Sequence, residues 1–187
     1  AYMSANILSA YRTGAVPGVG YKHLSKPDSK VAAIIGPGVM SKTALAAIMA
    51  VRPGIETIKV KGRGKASLEK FIAHVKKEYP QVNVYAVDTM EEAVRDADIV
   101  SASTSTPTGD PSQYPYIKEE WIKPGALISS TAALRFDDDF IIHRARTVTD
   151  NIKLYEAWEE EMKPNAYNTV PIPAVHVMDL IAEGRMK

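Results

Sequence analysis

Short apolar runs alternate along most of the chain with longer segments of helical periodicity. Val31-Ala32-Ala33-Ile34-Ile35 carries no polar break, the pattern of a strand buried on both faces in a parallel sheet. Thr57 to Lys61, Asn83 to Val87, Ile99 to Ser103, Ala126 to Ser130 and the short Thr147-Val148-Thr149 are also predicted as strands. A helix is predicted from Val39 to Val51, ending at Arg52-Pro53-Gly54. Another follows Ser67 as its cap, with Leu68, Phe71, Ile72 and Val75 on one face. Thr89 and Glu92 have capping-box spacing ahead of the stripe Met90, Ala93, Val94 and Ala97. Ile117 to Ile122 predicts a short helix closed by Lys123-Pro124-Gly125.

The two ends depart from this rhythm. Residues 2–16 predict a helix stopped by Pro17-Gly18, with a further short turn from Tyr21 to Leu24. Lys26-Pro27-Asp28-Ser29 is turn chemistry. Beyond Ile152 an acidic helix (Trp158 to Met162), a proline-rich stretch (Val170 to Pro173) and a helix at Val175 to Glu183 are expected.

Alternating strands and helices predict an α/β fold, a doubly wound parallel sheet with three αβα layers of the Rossmann type. The expected organisation is an entry helix over 1–24, a dinucleotide-binding domain over 25–151 and a C-terminal segment over 152–187. The abrupt start and finish read as a fragment of a longer enzyme.

Composition adds few constraints. The 187 residues are 45% hydrophobic and 24% charged, an ordinary globular mixture. A net charge of +1 gives no global signal for nucleic acid or an anionic membrane surface. No apolar run approaches the ~20 residues of a membrane helix. The absence of cysteine excludes disulfides and thiolate metal sites, and it fits a cytoplasmic location.

The chemistry concentrates at Gly36-Pro37-Gly38-Val39-Met40-Ser41, between a buried strand and a helix. The first glycine permits a tight turn and the second lets a diphosphate approach the backbone. The helix N-terminus then offers amides and partial positive charge. NAD-specific folds place an acid at the end of the second strand to bond the ribose 2′-hydroxyl. Here Lys61-Gly62-Arg63 stands there, with Lys65 and Ser67 nearby. A basic cluster pairs with a 2′-phosphate and an acid repels it, so NADP is favoured over NAD. Ser103, Thr104 and Ser105, at the end of the fourth strand, are candidates to bond the ribose or hold the nicotinamide.

Other polar groups read as structural. His23, His74, His143 and His176 lack metal spacing, and no metal site is expected. Asp137-Asp138-Asp139 precedes Phe140-Ile141-Ile142 and suits a helix cap. Glu159-Glu160-Glu161 suits a solvated helix face.

Tyr11-Arg12-Thr13-Gly14-Ala15, the stretch from Val31 to Ser41, and Met90 to Val100 together resemble the ornithine cyclodeaminase/mu-crystallin family. Glu120 to Ile128 and Val177 to Gly184 extend the likeness, which is poor over 152–174. The resemblance implies a nucleotide domain beside a substrate and dimerisation domain built from both chain ends, with a homodimer for the full-length protein. It also implies that Arg12 grips the carboxylate of an amino-acid-like substrate. No catalytic residue is assigned: the family's lysine is absent here. Leu134 stands where cyclodeaminases carry an Asp, and a leucine handles neither proton nor ammonium. An NADP-dependent oxidoreductase acting on an amino acid, imino acid or amine is therefore expected. The alternatives are a cyclodeaminase-type lyase that recycles its cofactor, and a non-catalytic NADP-binding protein or oxidase accessory subunit.

Overall fold

The computed structural model describes residues 5–105, 111–153, 157 and 174–176. Its elements run α1 (Asn6–Leu24), β1 (Val31–Ile35), α2 (Val39–Val51), β2 (Thr57–Lys61), α3 (Lys65–Glu78), β3 (Asn83–Ala86), α4 (Met90–Val94), β4 (Ile99–Ala102), β5 (Leu127–Ser130), β6 (Thr147–Thr149) and β7 (Ala174–His176). Five strands form one parallel sheet in the order β3-β2-β1-β4-β5. The order reverses between β1 and β4, which places a ligand crevice at the carboxyl ends of those strands. Ile35 lies in register with Lys61 on one side and Ala102 on the other, so the β2, β1 and β4 ends are level.

Alternation along the central strands builds two cores. Ala32, Ile34, Ile58, Val60 and Val84 pack with Leu45, Ile48, Phe71 and Val75. Ala33, Ile35, Val100 and Ala102 pack with Ala93, Val94 and Ile117. β1 contributes to both, which is why its sequence has no polar position. The short α4 is fixed at each end. Thr89 and Glu92 form a complete capping box, and Lys59 Nζ donates to the Glu92 and Arg95 carbonyls.

Several boundaries differ from expectation. α1 does not stop at Pro17-Gly18 but continues to Leu24. Proline removes one backbone donor and disfavours a helix interior, yet packing on α2 prevails. A Cβ at Gly14 would lie 2.6 Å from the Thr43 backbone carbon, and one at Gly18 would lie 3.1 Å from Ala47 Cβ. Thr43 Oγ1 also donates to the Ala10 carbonyl at 2.8 Å. α3 starts at Lys65 with Gly64 as N-cap, so Ser67 lies in its first turn instead of capping it. The Ile117–Ile122 helix is reduced to a 3₁₀ turn at Glu119–Trp121.

Asp139 stands at the N-cap of the turn that follows but makes no side-chain cap bond. Asp137 accepts from the Tyr116 hydroxyl and Asp139 pairs with Arg144, which engages them beside the π-type turn Phe140–Arg144. β6 leaves the main sheet and pairs in parallel with β7. Val175 and His176 are thus strand residues, where a helix was expected, because Val148 and Thr149 supply the partner edge. The expected acidic helix, the proline-rich stretch and residues 177–183 lie outside the described residues. Among the described residues no helix is long and apolar enough to cross a membrane.

Asp98 fastens the opposite end of the sheet. Its Oδ2 accepts from the Lys30 and Val31 amides at 2.8 and 3.0 Å, and its Oδ1 accepts from Lys123 Nζ at 2.5 Å. Burial alone would raise this carboxyl. The Lys123 ammonium and the two amides outweigh burial and hold it below the ordinary carboxylate value. Asp98→Asn is expected to cost about 2 kcal/mol at neutral pH, because it removes the negative charge that the Lys123 ammonium and the two amides bond. A depressed folded-state value contributes stability above the unfolded value and loses it as pH falls through the folded one. Denaturant titrations should therefore show the gap between variant and parent closing as pH drops below about 4.

Candidate functional site

The glycine turn is built against its neighbours on both sides. Gly36 has φ +87, and a Cβ there would lie 2.5 Å from the Ser103 carbonyl oxygen. Its amide donates to the Lys61 carbonyl at 2.8 Å, and the Gly38 amide donates to the Gly36 carbonyl at 2.8 Å, closing a tight turn about Pro37. Ser41 is buried, and its hydroxyl donates to the Gly36 carbonyl at 2.5 Å. That hydroxyl braces the turn, so Ser41 can offer a ligand its backbone amide. Gly62, at the β2 exit, makes room for Pro37, whose Cδ would be 2.6 Å from an added Cβ.

Gly38 is different. Nothing lies within 4 Å of where its Cβ would stand. It is the N-cap of α2 and brings no side chain, and the first turn of α2 holds no acid. Val39 is exposed and Met40 partly buried. The result is an open helix N-terminus with uncapped amide character, facing the side where the strand order reverses. An anionic group fits there in both space and electrostatics.

The basic cluster flanks this opening. Lys61 is partly buried at the β2 end, and Arg63, Lys65 and Ser67 are exposed. Arg63 Nη2 donates to the Ser105 carbonyl at 3.1 Å, a bond from the loop after β2 to the loop after β4. It therefore passes over the end of β1. Lys65 sits in the first turn of α3, a helix with a glycine N-cap and no acid in that turn. A cation there opposes the helix dipole, and a bound anion would offset that opposition.

Ser103 closes the third side. Its amide donates to the Ile35 carbonyl at 2.9 Å, and its hydroxyl lies 2.7 Å from Thr131 Oγ1. Thr131, whose amide donates to the Ala102 carbonyl at 3.0 Å, was missed in the sequence. The available signal was its position two residues beyond Ser129, matching Ser103 beyond Ser101 on a neighbouring strand. Thr104 contributes its Cγ2 near Gly36. The structure thus brings residues 36–41, 61–63 and 103–105 to one mouth.

Arg12 stands apart. It is exposed on α1, in a groove of about 420 Å³ shared with Ala5, Leu8, Ser9, Thr13 and Val16. Leu134 packs against the Ala33 core. His74 is half-buried beside Phe71, and burial with Lys42 lowers its pKa. His143 is exposed in the π-type turn, and His176 belongs to β7. Among the described residues no group of three or more His, Asp or Glu could hold a metal.

Comparison with known proteins agrees with this fold. A model described as the ornithine cyclodeaminase/mu-crystallin family matches residues 1–185. N-((2S)-2-amino-2-carboxyethyl)-L-glutamate dehydrogenase of Staphylococcus aureus is 28% identical over 81% of this chain and 43% of that protein. Ketimine reductase mu-crystallin of Rattus norvegicus is 30% identical over 81% of this chain and 46% of its own length. The solved Thermococcus litoralis Delta(1)-pyrroline-2-carboxylate reductase, in complex with NADH and L-proline, aligns with a TM-score of 0.75 at 26% identity. That alignment covers 96% of this chain and 55% of that one. The chain spans about half the length of the curated relatives it matches.

The two glycines of the turn should respond differently to the same substitution. Gly36→Ala meets both a positive φ and the Ser103 carbonyl, and should cost roughly 2–4 kcal/mol. Gly38→Ala meets open space at φ −102, and should change stability by less than about 1 kcal/mol. Urea denaturation of both variants checks the contrast.

Proposed function

Because this chain belongs to the ornithine cyclodeaminase/mu-crystallin family, we propose that it is the NADP(H)-binding part of a reductase acting on a cyclic or linear imino acid. The observation that carries the cofactor choice is the β2 exit. Lys61 stands level with an open glycine turn and is followed by Arg63 and Lys65, and no acid occupies the position that would hold a ribose 2′-hydroxyl. The amides of Val39 to Ser41 hold the diphosphate. The Arg63 guanidinium takes the 2′-phosphate through paired N–H bonds and covers the adenine. Lys61 and Lys65 add charge, and Ser67 adds a hydroxyl beside the α3 terminus. Ser103, Thr104 and Ser105 orient the nicotinamide half.

When bound, the cofactor supplies or accepts a hydride. The chain's residues orient it and screen its reactive face from water. Arg12 holds the substrate carboxylate from α1, in a pocket completed by a second domain. The exposed apolar side chains Ile7, Leu8 and Tyr11 of the same helix suit that domain's cover. The names of relatives support an imino-acid substrate: two are a ketimine reductase and a pyrroline-2-carboxylate reductase. Leu134 favours reduction over cyclodeamination. Its hydrocarbon side chain is engaged in the core and can neither take a proton nor hold an ammonium group.

Fluorescence titration of the chain with NADPH and NADH tests the cofactor choice. NADPH is expected to bind at least about tenfold tighter. Arg63→Ala is expected to weaken NADPH binding about 10- to 100-fold, the value of a charge-assisted pair, and NADH binding by only about two- to fivefold, the share of the lost cover on the adenine. NADH binding equal to or tighter than NADPH contradicts the proposal.

A further inference from the structure

The buried polar group that the cofactor site does not use is Tyr21. Its side chain is fully buried between α1 and the sheet. Its hydroxyl lies 2.8 Å from Ser101 Oγ, and the Ser129 hydroxyl stands beside this pair. Ser101 is buried on β4 and is directly paired with Ser129 of β5. A serine at a buried position of a parallel sheet is uneconomical, because apolar residues fill such positions without needing partners. The Tyr21 hydroxyl supplies the partner that Ser101 needs. Burial raises the Tyr21 pKa, so it remains a neutral donor at any working pH.

Two residues further along each strand stand Ser103 and Thr131, paired at 2.7 Å at the exposed mouth. The Ser103 carbonyl is the group that leaves no room at Gly36. Tyr21 therefore grips β4 one step below the segment that shapes the glycine turn. It does so from the helix that carries Arg12 about two and a half turns upstream.

We propose that Tyr21 is a positioning residue whose bond to Ser101, with Ser129 alongside on β5, locks α1 to the carboxyl end of β4, fixing the cofactor mouth relative to the Arg12 helix. This rests on the assignment of those strand ends as the cofactor mouth, and not on which nicotinamide cofactor binds. A polar trio gives one geometry where an apolar trio would permit sliding.

Amide hydrogen exchange on the cofactor-free chain tests it, using Tyr21→Phe and the triple variant Y21F/S101A/S129A. The triple variant removes every hydroxyl of the trio and should regain most of the melting temperature that Y21F loses. It should still exchange about tenfold or more faster than the parent at the Gly36, Ser103 and Thr131 amides. The Asp98 and Asn83 amides, at the opposite end of the sheet, should stay unchanged, and NADPH affinity should fall several-fold. Parental exchange at the three mouth amides in the triple variant, or in Y21F should the triple not fold, overturns the proposal. So does unchanged NADPH affinity in a chain that binds it. A parent chain that fails to bind NADPH refutes the cofactor reading alone, and the exchange comparison still decides the role of Tyr21.

Discussion

Clearance at the level ends of β2, β1 and β4 governs the rest of this molecule. The Ser103 carbonyl lies so close to Gly36 that no side chain fits between them. Pro37 fills the space that a side chain at Gly62 would need. Three loops are therefore pressed together, and space is left above Gly38, where α2 begins. The first-turn amides of α2 begin at that space, and they select for negative charge.

That geometry depends on strain and burial being managed elsewhere. Gly36 absorbs the positive φ, and the buried Ser41 hydroxyl ties its carbonyl down. Asp98 anchors the amino ends of β1 and β4 through amides and the Lys123 ammonium. Both ends of the central strand pair are thus held by polar groups, with the apolar middle packed on two faces. Arg63 adds a bond across the mouth to Ser105. The cation proposed for the 2′-phosphate is held near the opening before any ligand arrives, which lowers the ordering cost of binding.

The sheet was legible because its signals are local and redundant. β1, α2 and β2 fall at the predicted residues: an unbroken apolar run, a glycine turn and a Pro-Gly stop mark their limits. The Thr89/Glu92 capping box is also a local code and is present as expected. What the sequence did not reveal depends on partners distant along the chain. Pro17 reads as a stop until the close packing of Gly14 and Gly18 on α2 is seen to outweigh it. β7 and the engagement of Asp137 and Asp139 likewise need neighbours that spacing cannot supply. The candidate site was legible at its glycines and basic residues. Thr131 and Tyr21 were not, because a hydroxyl acquires meaning only from the atom it faces.

The central claim is that open amides at the start of α2 receive a diphosphate. Mapping backbone amide chemical shifts during titration with NADP(H) tests it most directly. The account predicts that the largest changes fall on residues 38–41, with further changes at 61–65 and 103–105. Saturating ligand that leaves 38–41 unmoved, with the shifts gathered instead around the Arg12 groove, would contradict it.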